Sequence, residues 1–108
     1  MFNLFKKKPK EIDPTHREEL LQIIEAVRSA VHPETELIYS YFESVDQLLT
    51  ELDELSEGIK NGELESLSTL SMHFAPTSGF QELSMQNGWS KEYLKIAEQF
   101  DSIHDKYK

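Results

Sequence analysis

Residues 34–60, ETELIYSYFESVDQLLTELDELSEGIK, decide the fold. Leu37, Ile38, Tyr41, Phe42, Val45, Leu48, Leu49, Leu52, Leu55 and Ile59 recur at steps of three and four, the spacing that lines one side of an α-helix. Pro33 suits a helix start, Glu34 and Glu36 favour the positive end of the macrodipole, and Asn61-Gly62 supplies a stop. The spacing therefore predicts one helix over about 34–60, roughly 40 Å long. In a chain of 108 residues such a helix is the central spine, with Ile38, Tyr41, Phe42, Val45, Leu48, Leu52 and Leu55 buried along it.

Working outward, Asp13 followed by Pro14 reads as an N-cap and a first helical position, and Thr15 with Glu18 offers a capping box one turn later. Leu20, Ile24, Val27 and Val31, widened by Leu21 and Ile23, give a helix over about 14–31 that Pro33 terminates. A third helix runs from Glu63 to Phe74 on Leu64, Leu67, Leu70 and Phe74, ended by Pro76. Ser78 with Gln81 reads as a capping box opening a short fourth helix through Phe80 and Leu83 to Asn87-Gly88. Ser90 reads as the cap of the last helix, with Trp89 stapled onto Leu94 and with Tyr93, Leu94, Ile96, Ala97, Phe100 and Ile103 buried. No segment alternates with period two over strand length. The expectation is an all-α, compact bundle of about five helices, a single domain over 13–108. A flexible basic N-terminal tail, residues 1–12, precedes it, with Lys6, Lys7, Lys8 and Lys10 around Pro9.

Composition narrows the function. The chain is 38% hydrophobic and 29% charged, as globular domains are. It has no apolar run near the roughly 20 residues of a membrane span and no signal-peptide pattern, so the expected compartment is the cytoplasm, without stable membrane insertion. Zero cysteines exclude disulfides, thiolate metal sites and cysteine nucleophiles. A net charge of -9 opposes binding to nucleic acid, where affinity comes largely from Lys and Arg.

The most distinct surface feature belongs to the predicted long helix. Glu36, Glu43, Asp46, Asp53, Glu54 and Glu57 crowd the side opposite the apolar set, with Glu51 at its border. Residues 34–65 hold ten acids and one base, Lys60. Such a face is either a solvated surface or a match for a basic partner. Tyr39 falls among Glu36, Glu43 and Asp46 on the helical wheel, which makes it the expected interface anchor. Glu36, Tyr39, Glu43, Asp46, Asp53 and Glu57 are thus the candidate protein interface. His73, Phe80 and Trp89, on the turns HFAPTSGF (73–80) and NGW (87–89), are secondary candidates that also read as cap and core residues.

Chemistry is thinner. Asp13-x-x-His16 and Asp101-x-x-His104 have a spacing that a helix could present to a metal, but the inward positions that di-iron bundles fill with Glu are aliphatic here. No Gly-x-Ser-x-Gly elbow and no glycine-rich phosphate loop occurs. The expectation is a non-enzymatic protein with no metal and no cofactor.

The segments Leu67-x-x-Leu70, FAPTSGFQE (74–82) and NGW (87–89) together resemble small acidic bacterial proteins of the immunity-protein type. The likeness covers about the C-terminal half and carries over no functional residue. It implies a cytoplasmic, non-enzymatic protein that neutralises a basic toxin with an acidic surface. The competing expectation is a regulatory or scaffolding helical module, membrane-peripheral through Phe2, Leu4, Phe5 and the lysines that follow. A homodimer along the long helix is compatible with either.

Overall fold

The computed structural model describes residues 9–38, 40–76 and 78–108. Asp13 Oδ1 accepts the Thr15 N–H at 2.9 Å and Pro14 takes the first position of α1, Pro14–Ser29. That helix buries Leu20, Ile23, Ile24 and Val27. It is followed by α2 (Val45–Lys60), α3 (Leu64–His73), α4 (Gly79–Asn87) and α5 (Ser90–His104), with a closing 3-10 turn at Asp105–Tyr107. The fold is all-α, and no strand occurs among the described residues. In the bundle α1 packs on α2 and α5, α2 on α3, and α4 on α5.

The helix predicted over 34–60 begins only at Val45. The reason is local hydrogen bonding that competes with the helical ladder. Thr35 Oγ1 accepts the His32 N–H at 2.7 Å, Ser40 Oγ donates to the Leu37 carbonyl at 2.7 Å, and Ser44 Oγ accepts the Gln47 N–H at 3.0 Å as the N-cap of α2. Asn87 holds the strand of chain from outside: its Oδ1 accepts the Glu36 N–H at 2.8 Å and its Nδ2 donates to the Glu36 carbonyl at 2.9 Å. Apolar spacing continues through this connection, but burial does not. Phe42 enters the core while Ile38 and Tyr41, expected inside, are 58% and 76% exposed. Val45, also expected inside, is only half-buried; beyond it the pattern is as predicted, with Leu48, Leu52, Leu55 and Ile59 buried.

Three further expectations change. Ile12, assigned to the N-terminal tail, is fully buried and donates its N–H to the Gly62 carbonyl at 2.9 Å. Residues 1–8 of that tail lie outside the described residues. The Ser78 hydroxyl does not cap α4; it donates to the His73 carbonyl instead. Ser90 is the first residue of α5 rather than its cap, and Leu94 is 66% exposed. Trp89 packs edge-on to Tyr93, 6.2 Å between centroids, in place of the predicted staple. As predicted, Gly88 closes α4 in the left-handed conformation, φ 81°.

The core between α3, α4 and α5 is aromatic. Phe74 stacks on Phe100 at 4.5 Å and meets Phe80 edge-on at 5.1 Å. The stack continues outward from Phe80 to His73 at 5.0 Å and from His73 to Phe42 at 5.5 Å. It thereby carries the core to the surface beside α2, where the candidate site lies.

Candidate protein-binding site

His73 is the last residue of α3, and its ring is nearly parallel to both Phe42 and Phe80. Its Nε2 lies 2.8 Å from Glu51 Oε2 on α2. The imidazole therefore joins the aromatic core to a carboxylate at the surface. Tyr41 sits next to this pair. Its ring lies over Gly79, where an added Cβ would come within 3.6 Å of Tyr41 Cδ2 and 3.3 Å of Phe42 Cε2. The glycine at the start of α4 thus lets the Tyr41–Phe42 segment lie flat on the helix end.

Two depressions flank Tyr41 and share His73. One, of about 450 Å³, is lined by Met72, Ala75, Pro76, Ser78 and Gly79. Among the described residues its lining carries no Asp, Glu, Lys or Arg, and Met72 at its edge is 70% exposed. The other, of about 350 Å³, is lined by Phe42, Gln47, Thr50, Glu51 and Glu54. Its two carboxylates belong to α2 and continue onto the outer side of that helix. An exposed tyrosine and an exposed methionine edging one groove make it a candidate interaction surface.

The predicted interface residues are placed as follows. Asp46, Asp53 and Glu57 are exposed on α2, with Asp53 ion-paired to Arg28 of α1. Glu43 is exposed just ahead of the α2 N-cap, and its N–H donates to Gln47 Oε1. Glu36 is exposed in the connection before α2, not on a helix. Tyr39 lies outside the described residues. Of the secondary candidates, His73 is half-buried at the groove, whereas Phe80 is fully buried in the core and Trp89 is buried to 8% exposure.

Tyr41 and Met72 were missed because helical periodicity assigned Tyr41 inward and left Met72 unread. The signal that could have found Tyr41 is Ser44-x-x-Gln47, a capping box placed ahead of Leu48. Starting the helix there frees residues 34–43 from the wheel.

A larger depression, about 570 Å³, lies between α1 and α5, with Glu19, Gln22, Glu98, Gln99 and Lys106 among its lining residues. Charges of both signs and amides give it no chemical bias. No group of three or more His, Asp or Glu is placed to hold a metal ion among the described residues, and no described helix is long and apolar enough to cross a membrane. Compared with known proteins, the chain matches no family model, no curated protein and no solved structure.

Proposed function

We propose that this is a non-enzymatic protein-binding domain that neutralises a basic protein, with immunity to a toxin as its concrete form. The observation that carries the reading is the outer side of α2. Asp46, Glu54 and Glu57 are exposed there and form no ion pair among the described residues, while Asp53 has Arg28. Like charges at helical three-and-four spacing cost a few tenths of a kcal/mol each. A basic surface removes that repulsion on contact and is steered toward the face from a distance. The sequence likeness to immunity-type proteins supports the same reading.

The test is genetic and physical. The product of the neighbouring gene is expressed alone and with this protein, and growth and complex formation are measured. Rescue of growth by the native chain, with loss of rescue and slower association for the Asp53→Lys/Glu57→Lys variant, is the expected result. A neighbouring gene whose product is neither toxic nor bound favours the regulatory or scaffolding reading instead.

A further inference from the structure

We infer that the paired depressions beside Tyr41 seat a segment of the partner that carries a bulky apolar side chain next to a lysine or arginine. This deepens the reading of the partner as a basic protein and rests on it. The two depressions differ in chemistry while sharing a wall. On the Met72 side, Ala75, Pro76 and Gly79 offer an apolar floor with no carboxylate. On the α2 side, Glu51 and Glu54 offer two carboxylates and no Lys or Arg among the described residues. Glu51 is held by His73, so its direction is fixed, and Glu54 forms no ion pair among the described residues.

Tyr41 and His73 line both depressions, so a cation bound at Glu54 and an apolar side chain bound at Met72 would both adjoin this shared wall, an arrangement suited to neighbouring residues of one segment. The exposed Tyr41 ring offers apolar contact and a cation–π partner to such a segment. Met72 adapts to leucine, methionine or phenylalanine because its unbranched side chain refits readily. The body of a second copy of this chain is a poorer occupant, since the net charge of -9 would meet the same sign at Glu51 and Glu54. Only its tail, where Phe5 is followed by Lys6, Lys7 and Lys8, has matching chemistry, and dependence on protein concentration tests it.

The probe is a synthetic peptide of Gly and Ser that carries one Leu flanked by two Lys, with counterparts in which Leu or both Lys are replaced by Ser. Each is titrated to millimolar concentration into the isotopically labelled full chain and followed by amide chemical shifts. The Leu/Lys peptide is expected to move Met72, His73 and Gly79 together with Thr50 and Glu54. Either counterpart, and either variant Tyr41→Ser or Glu54→Lys, is expected to bind about tenfold more weakly, the size of one anchor contact. Both variants alter exposed side chains, and their unfolding curves serve to verify the fold.

Shifts confined to other surfaces, or none at all, overturn the assignment. If the Ser-for-Leu peptide binds α2 as well as the parent and Tyr41→Ser changes nothing, the groove assignment falls while the basic-partner reading stands. If the Ser-for-Lys peptide binds as well as the parent, both fall. Shifts at these residues that depend on protein concentration without peptide identify a second copy as the occupant and overturn the assignment too.

Discussion

The backbone N–H of Ile12 donates to the carbonyl of Gly62 at 2.9 Å, which ties the chain ahead of α1 to the turn between α2 and α3. Arg17 reinforces the tie, its Nε donating to the Ile12 carbonyl at 2.6 Å and its guanidinium lying over Gly62. Gly62 is suited to the place twice over, by its φ of 77° and by the absence of a Cβ that would come within 2.6 Å of Arg17 Nη2.

Ile12→Ala should therefore behave as a core truncation despite its place outside any helix. A fully buried isoleucine cut to alanine costs about 2–5 kcal/mol. Urea unfolding should show a lowered midpoint with an unchanged slope. A loss under about 0.5 kcal/mol, the size of an ordinary surface change, would mean that this segment is not part of the cooperative unit.

Gly58→Ala should destabilise even though alanine is the better helix former by roughly 1 kcal/mol. Gly58 is where α2 meets α3, and an added Cβ would come within 2.7 Å of Ser66 Cβ. That neighbour is fixed to its backbone and cannot swing aside. The expected net loss is about 1–3 kcal/mol, as for other overpacked contacts. Ser66→Gly in the same chain should recover part of it. A thermal midpoint higher in Gly58→Ala than in the native chain would show that the helices separate without cost.

Ser44→Ala should shorten α2 at its start and cost about 1 kcal/mol, because the hydroxyl is the side-chain acceptor for the Gln47 N–H. Ser44→Asp should retain most of the stability, since a carboxylate caps as well and favours the helix N-terminus. Equal midpoints for the alanine and aspartate variants, read by circular dichroism on heating, would contradict the cap.

The same residue marks how far the fold was legible in sequence. Five helices follow from apolar spacing punctuated by Asp13-Pro14, Asn61-Gly62, Pro76 and Asn87-Gly88, because each of these acts on the backbone locally. The start of α2 did not follow, because Leu37 to Phe42 keeps helical spacing by chance while Thr35, Ser40 and Ser44 bond to nearby backbone and Asn87 grips Glu36 from 51 positions away. That last contact is tertiary, and no local pattern contains it. Ile12 escaped for a related reason: a lone apolar residue beside a basic segment has no period, and its burial depends on the Gly62 turn. The carboxylates of α2 were legible as an exposed row. The groove beside Tyr41 was not, since it forms only where the Tyr41–Phe42 segment, the end of α3 and the start of α4 meet.

Tyr93 should make the domain labile to alkali. Its side chain is buried on α5 against Phe74, with ring centroids 5.9 Å apart, and beside Trp89. Burial raises the pKa of its phenol above 10.0; the hydrogen bond with Ser78 offsets part of the rise, and the negative charge of Asp101 adds to it. The folded chain consequently holds this proton to higher pH than the unfolded chain does. With the folded value raised, the contribution to stability is fully present below the ordinary tyrosine value of 10.0 and is lost as pH climbs through the folded value. Chemical unfolding measured at steps from about pH 8 to 11 should show stability falling above about pH 10, within the tyrosine range. Tyr93→Phe removes the ionisable group while keeping the ring. It should flatten the alkaline fall. Parallel curves for the native chain and Tyr93→Phe across that range would assign the alkaline transition to another group.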